Sequence, residues 1–143
     1  MNNKERRSAR IEEITRQLTS CFSVSETAGE AQMGDILYAM LAENPYFQAH
    51  PENLRRLPIE GDPWGRISIL ALMRGEKRPS SKTVVTIGHF DTVGISDYGS
   101  LAPYANQPDL LREKLRALEL PENVRADLES GDYLFGRGAF DMK

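Results

Sequence analysis

The chain has 143 residues, a length typical of one domain or of part of one. Hydrophobic residues make up 40% of it and charged residues 27%, which excludes a disordered composition. The net charge of −3 gives no support to nucleic-acid binding. The one cysteine, Cys21, excludes an intrachain disulfide and a thiolate metal cage. The N-terminus lacks the apolar stretch of a signal peptide, and no run approaches the roughly 18 apolar residues of a membrane span. We therefore expect no membrane association and a cytoplasmic location.

Two amphipathic helices are predicted at the start of the chain. The first runs from Ala9 to about Phe22 with Ser8 as its cap, and the second from about Glu30 to Ala42. Asn44-Pro45 ends the second helix, because the residue before a proline is pushed out of helical geometry. The start of the chain also carries basic residues mixed with glutamates, which favours a solvated helix face over a binding patch: Lys4, Arg6, Arg7 and Arg10.

The middle of the chain is predicted to hold two strands. Residues 45–65 contain four prolines and two glycines and are expected to be a long irregular connection. Arg66–Met73 is predicted to be a strand, and its early alternation favours an edge or a half-buried position. The β-branched run at 83–88 predicts a strand buried on both faces. A short polar turn joins the two strands, so we expect them to be neighbours in one sheet.

The last third of the chain is predicted to be mainly helical. Residues 94–104 are expected to form a loop. Pro108 at a first helical position predicts a helix of about Asp109–Leu118. A shorter helix of about Glu122–Glu129 follows, ended by Ser130-Gly131. Asp132–Phe135 is predicted to be a short strand that leads into a glycine-rich end.

A histidine and an aspartate follow the predicted strand at 83–88. Side chains in an extended backbone alternate with period two, so His89 and Asp91 should point the same way. Ligands collect at strand ends in open α/β sheets. Two interpretations stay open on these residues alone. One is a histidine held by a carboxylate at a turn, and the other is a metal-binding imidazole oriented by a carboxylate.

The glycine-rich end, Gly136-Arg137-Gly138-Ala139-Phe140-Asp141, also permits two interpretations. It lacks the Gly-x-x-x-x-Gly-Lys spacing of a phosphate loop, and Asp141 stands where a dinucleotide fingerprint needs its third glycine. It is either a turn after a strand or a tightly turned backbone that presents Asp141 as an acidic ligand.

Taken together, the two motifs resemble those of the M20 metallopeptidase family of aminoacylases, deacetylases, desuccinylases and carboxypeptidases. The first family signature, Gly-His-x-Asp-x-Val after an apolar strand, is matched by residues 88–93. The second, Gly-Arg-Gly-x-x-Asp-x-Lys, is matched by residues 136–143 without departure. Asp141 lies 52 residues after His89, in the expected order.

The resemblance implies an α/β fold, namely a three-layer α/β/α zinc-peptidase-like catalytic domain with a mixed, mostly parallel sheet. Residues 1–143 would be the N-terminal portion of that domain. The family's smaller domain, used for dimerisation and for clamping substrate, and the C-terminal half of the catalytic domain would be absent. In the family's full-length members this second domain makes a homodimer the expected assembly.

The resemblance also implies a site and a reaction. His89 would bind one of two divalent metal ions, usually zinc, with cobalt or manganese as alternatives. Asp91 would orient His89, and Asp141 would bridge both metals, with a cis bond between Asp141 and Met142. The reaction implied is hydrolysis of an amide bond in an N-acyl amino acid or small peptide. The family's Glu-Glu pair, a further acidic ligand and a final histidine have no counterpart here, so we expect the 143-residue chain alone to be inactive.

Three further stretches resemble the arginine-utilisation deacylase branch of the family, which indicates a role in arginine catabolism: Asn44–Phe47, Asp62–Arg66 and Asp127–Gly131. His50, the other histidine, matches no family ligand and is predicted to be a solvated loop residue.

Two rival interpretations come from other classes. A phosphatase or dehalogenase-like hydrolase also places Asp-x-Asp after an apolar strand, but His89 stands where the nucleophilic aspartate is needed. The second rival is a non-catalytic relic or interaction module.

Overall fold

The computed structural model describes residues 2–77 and 81–138. Within these two stretches the chain is α/β, with five α-helices and one antiparallel pair of strands. The elements in chain order are α1 (Asn3–Thr19), α2 (Ala28–Ala42), α3 (Pro45–Ala49), a 3-10 turn (Pro51–Asn53), β1 (Leu54–Pro58), β2 (Ile67–Ala71), a 3-10 segment (Ser96–Tyr104), α4 (Pro108–Arg116) and α5 (Glu122–Ser130).

Helix α1 begins earlier than Ser8, the predicted cap. Asn2 caps it instead: the Asn2 side chain accepts a hydrogen bond from the Glu5 backbone, and the Glu5 side chain accepts one from the Asn2 backbone. This reciprocal capping box satisfies two backbone donors that Ser8 could not reach from inside the helix. The basic cluster near the start of α1 is exposed, as predicted.

Helix α2 is the element on which the strands rest. Thr27 caps it by accepting from the backbone N–H of Gly29. Its start lies close to the predicted boundary, and it packs against both strands. A Cβ atom on Gly34 would lie 2.8 Å from Cγ1 of Ile67, so the absence of a side chain there allows β2 to approach the helix closely.

The prediction of an irregular connection over residues 45–65 was wrong. Pro45 and Pro51 each stand at the start of a helical turn, where a missing N–H costs nothing, so they begin structure rather than break it. Strand β1 follows and pairs antiparallel with β2, in a register that sets Leu54 opposite Ala71 and Pro58 opposite Ile67. The predicted strand at 66–73 is confirmed with shorter bounds.

The prediction of a buried strand at 83–88, next to β2, was also wrong. Residues 82–90 form no regular strand in the described structure, and β2 pairs with β1 there. Val84, Val85 and Ile87 are 89%, 75% and 94% exposed. β-branched residues favour a strand only where a neighbouring strand supplies hydrogen bonds and a surface to pack on. Among the described residues, no strand lies beside residues 83–88 to supply those hydrogen bonds or that surface. The predicted mostly parallel sheet of a three-layer domain is not found among them either.

The predicted helices of the last third are confirmed as α4 and α5. Pro108 opens α4, and Gly131 ends α5 in the left-handed conformation with φ of 80°. Leu111 of α4 and Leu128 of α5 are buried, and the two helices pack against each other. The expected loop at 94–104 contains a 3-10 segment kinked at Gly99. Asp132–Phe135, predicted as a strand, is irregular. In residues 2–77 and 81–138, no helix has the length and apolar character needed to cross a membrane.

Candidate functional site

A cavity of about 750 Å³ is lined by both sequence motifs. Its apolar wall comes from the end of α1 and from α2, through Leu18, Met33 and Leu37. Residues 88–93 also line the cavity, together with Arg137 and Gly138. The cavity is therefore concave, largely apolar and edged by a few polar groups, which is the usual character of a small-molecule site.

Residues 88–93 are fixed from two sides. The ring of Phe90 approaches α2, where its Cζ atom would lie 3.7 Å from a Cβ on Gly34. The backbone N–H of Thr92 donates to Ser23 at 2.8 Å, and that of Ser25 donates to the Thr92 carbonyl at 2.9 Å. These two hydrogen bonds form a short parallel bridge between Val24 and Thr92. Phe90 therefore lies against α2 and lines the cavity together with its neighbours.

His89 and Asp91 point the same way, as the period-two spacing predicts. The Nδ1 atom of His89 lies 2.9 Å from Oδ1 of Asp91. An ionised carboxylate only accepts hydrogen bonds. Nδ1 therefore carries the ring proton, and this N–H donates a hydrogen bond to Asp91. The two side chains remain 45% and 38% exposed. A contact this accessible to water adds little to stability, so its effect is on the orientation of the ring.

Ser25 holds the second oxygen of Asp91. Its hydroxyl donates to Asp91 Oδ2 at 2.7 Å, with the carbonyl of Thr92 as a longer alternative acceptor at 3.2 Å. The Ser25 hydrogen bond, with a smaller contribution from His89, lowers the pKa of Asp91 despite the opposing effect of partial burial. Asp91 is therefore an ionised acceptor held by two donors.

Arg137, from the second motif, is buried against the 3-10 segment. One of its guanidinium nitrogens contacts both carboxylate oxygens of Asp97, at 2.5 and 2.6 Å, and the group lies over the ring of Tyr98. The backbone N–H of Arg137 donates to Ala105 at 2.7 Å. The ion pair lowers the pKa of Asp97. This set of contacts fixes the chain just before residue 139.

The two glycines that flank Arg137 have backbone conformations that suit glycine. Gly136 has φ of 150°, and a Cβ atom there would lie 2.8 Å from Cγ2 of Thr19. Gly138 has φ of 85°, and its Cβ would lie 3.2 Å from Cγ2 of Thr92. Thr92 belongs to the first motif, so the structure brings the two motifs into contact. That contact is the geometric link between them.

The metal ligands predicted from the resemblance are only partly within the described residues. The imidazole of His89, with its Nδ1–H held by a carboxylate, has the arrangement typical of metal-binding histidines. Among the residues that the structure describes, no group of three or more His, Cys, Asp or Glu side chains is arranged to hold a metal ion. Asp141 and the predicted cis bond to Met142 lie outside the described residues. The described part therefore fits one ligand and its orienting carboxylate.

Two other residues with reactive side chains, Cys21 and His50, show no sign of a role in catalysis among the described residues, and His50 is exposed as the sequence predicts. Cys21 is half-buried on the cavity wall, and burial raises the pKa of its thiol, which disfavours the nucleophilic thiolate. His50 is exposed at the end of α3, where its ring packs against Tyr46.

Sequence reasoning missed two polar groups of this region, Ser25 and Asp97. Ser25 meets Asp91 across 66 residues of chain, and Asp97 meets Arg137 across 40. No local spacing signals either contact. An acidic partner for Arg137 becomes an expectation only once the structure shows that this arginine is buried.

The chain is similar to two curated proteins of Bacillus subtilis (strain 168). It is 43% identical over 123 residues to the uncharacterized protein YqjN, and the aligned region covers 85% of this chain and 22% of YqjN. It is 37% identical over 134 residues to protein RocB, and the aligned region covers 94% of this chain and 24% of RocB. The chain thus spans about a quarter of the length of these relatives. No family model and no solved structure matches it.

Proposed function

We propose that this chain carries part of the metal site of an amide-bond hydrolase, a deacylase or peptidase of the M20 type. One observation carries the proposal. The His89–Asp91 pair lies on the same cavity as Gly138, and Gly138 is in contact range of Thr92. The two motifs that define the resemblance are therefore parts of one site rather than two unrelated turns.

His89 would hold a divalent metal through Nε2, since its Nδ1–H donates a hydrogen bond to Asp91. Asp141 would supply the second ligand, as the resemblance implies. A bound pair of zinc, cobalt or manganese ions would supply an acidified water and charge stabilisation for the oxyanion. The chain's own residues fix the tautomer of His89, hold its ring at the edge of the cavity, and provide an apolar wall that excludes water from the substrate.

The proposed substrate is an N-acyl amino acid or small peptide, and the proposed pathway is arginine catabolism. The similarity to RocB and the stretches typical of the arginine-utilisation branch support this assignment. The apolar face made by Leu18, Met33 and Leu37 suits an acyl or alkyl group. The cytoplasm is the proposed location, and a homodimer built through the family's second domain is the proposed assembly.

The metal content of the protein purified from its native gene tests the proposal. The chain has two histidines, so His50→Ala is a matched control for His89→Ala. We expect about two metal ions per protein in the unchanged protein and in His50→Ala, and loss of at least one in His89→Ala. Hydrolysis of N-acyl amino acids should fall by at least about a hundredfold in His89→Ala. Full metal occupancy in His89→Ala would contradict the proposed ligand.

Growth of the host on arginine as the nitrogen source tests the pathway. A chromosomal His89→Ala change should impair this growth as strongly as deletion of the gene, and His50→Ala should leave it normal. If deletion itself has no effect on growth or on N-acyl amino acid levels, the assignment to arginine catabolism is wrong and a non-catalytic role is favoured.

A further inference from the structure

We infer that Ser25 is a positioning residue for His89, and that a polar network anchored by the motif Asp62–Arg66 holds Ser25 in place. The role in metal binding rests on the proposed function, but the positioning itself is a property of the chain. The inference gives a task to Asp62–Arg66, which lies outside the cavity and has no part in the proposed metal chemistry.

The first step of the network is the Asp91 carboxylate. Its two oxygens have different partners: Oδ1 accepts from His89 and Oδ2 accepts from the Ser25 hydroxyl. A carboxylate held at one oxygen alone can change the direction of that hydrogen bond, or exchange its two oxygens by rotation about the Cβ–Cγ bond. Held at both, it fixes the direction from which His89 is bound, and hence the direction in which Nε2 points.

The second step is the backbone around Ser25. Ser25 is joined to Thr92 by a backbone hydrogen bond, and the next residue, Glu26, has φ of 60°. Glu26 is the one non-glycine residue with positive φ in the described chain, a conformation that costs free energy in residues with a side chain. The Glu26 N–H donates to the Glu30 carboxylate at 2.5 Å. This hydrogen bond holds the turn that presents the Ser25 hydroxyl to Asp91.

The third step is the buried carboxylate of Glu30. The side chain is 9% exposed, and its Oε2 atom accepts from Arg66 at 3.3 Å as well as from Glu26. A carboxylate this deeply buried needs charged or hydrogen-bonding partners to offset the loss of its hydration. Arg66 supplies the positive charge across 36 residues of chain.

The fourth step is the Asp62–Arg66 motif itself. The Asp62 carboxylate accepts from the Arg66 Nε at 2.7 Å and from the backbone N–H groups of Trp64 and Arg66, at 3.1 and 2.8 Å. Gly65, with φ of 70°, makes the turn that allows both backbone contacts. Asp62 thereby aims the Arg66 guanidinium at Glu30. The motif is the fixed end of a chain of contacts whose other end is His89.

The tautomer of His89 measures this positioning without metal or substrate. Nitrogen NMR of the 143-residue chain at about pH 8.5, well above the usual imidazole pKa of about 6.5, reports which ring nitrogen carries the proton. His50 is an internal reference in the same spectrum. We expect the Nδ1–H form for His89, and a rise of about twofold or more in the ratio of Nε2–H to Nδ1–H in Ser25→Ala.

Two further variants separate positioning from folding. Ser25→Thr keeps a hydroxyl and should restore the original tautomer ratio. Ser20→Ala removes an exposed hydroxyl that binds only its own helix, and it should change nothing at His89. Arg66→Met should shift the His89 ratio in the same direction as Ser25→Ala, with His50 unchanged. An unchanged ratio in Ser25→Ala, with circular dichroism showing a folded chain, would overturn the inference.

Zinc affinity of the protein from the native gene distinguishes failure of this inference from failure of the proposed function. We expect Ser25→Ala to weaken zinc binding about tenfold and Ser25→Thr to restore it. A shifted tautomer in a protein that never binds zinc would uphold the positioning role and reject the metal site. An unshifted tautomer, together with zinc loss in His89→Ala, would reject the positioning role and uphold the metal site.

Discussion

Each of the two histidines of this chain has a carboxylate two residues later, yet the two pairs differ. His50 Nδ1 lies 3.6 Å from Oε1 of Glu52, beyond the usual hydrogen-bond distance, and both side chains are exposed. His89 Nδ1 lies 2.9 Å from Oδ1 of Asp91, which is itself held by Ser25. The same local spacing therefore gives a loose contact in one region and an oriented imidazole in the other.

The difference lies in what surrounds each carboxylate. Glu52 belongs to a short 3-10 turn and has a longer side chain with more rotamers to lose. Asp91 is shorter and is fixed by a backbone bridge between residues 24 and 92. A histidine and an acid at i and i+2 are thus insufficient for orientation. Contacts from distant parts of the chain supply it.

The largest test of this comparison removes the carboxylate from each pair. Asp91→Ala should weaken zinc binding by about 10–100-fold, the usual effect of losing a carboxylate that orients a metal-binding histidine. Glu52→Ala, at the equivalent position beside His50, should leave it unchanged. Isothermal titration of the protein from the native gene with zinc measures both. Equal affinities in the two variants would show that the pairs do not differ in function.

A smaller effect is expected from the glycine that rests on the first motif. Gly138→Ala places a methyl group 3.2 Å from Thr92 in a left-handed conformation, which should lower the free energy of unfolding by about 1–2 kcal/mol. Gly75→Ala is the control, because a Cβ atom there meets nothing within 4 Å. Urea denaturation measures both. If the two variants are equally stable, the contact between the motifs is not tight.

The smallest effect concerns the remote end of the network and depends on pH. Arg66 hydrogen bonds lower the pKa of Asp62 below its usual value of 3.8 in the folded chain. The stability that this gives is therefore fully present above about pH 4 and is lost as pH falls through the lowered pKa. Asp62→Asn should make the stability of the chain fall less steeply in acid below about pH 4, as followed by circular dichroism. An unchanged slope would show that Asp62 is not stabilised in its charged form.

Local patterns were sufficient for the elements whose ends carry their own signals. Pro108 and Gly131 bracket α4 and α5, and period two was enough to bring His89 and Asp91 together. Both errors in the middle of the chain came from treating residue types as decisive. Prolines were taken as breakers where they begin helical turns, and β-branched residues at 83–88 were taken as a strand although no described strand pairs with them.

The rest of the site depends on contacts between distant segments, which one sequence does not reveal. The partners Ser25 with Asp91, Asp97 with Arg137, and Glu30 with Arg66 are separated by 66, 40 and 36 residues. The family resemblance identified the two motifs but said nothing of these supports. The metal-ligand roles of His89 and Asp141 remain predictions.

Gly34 lies under both the sheet and the candidate site. Ile67 of β2 and Phe90 of the first motif approach the same point on α2, because no side chain stands between them and the helix. Gly34 therefore sets how closely both β2 and the first motif approach α2, because it has only a hydrogen atom in place of a side chain. A methyl group added there would push on Ile67 and disturb the surface under Phe90 together. A substitution of Gly34, which does not line the cavity, would then change any property measured at His89 as if the site itself had been altered.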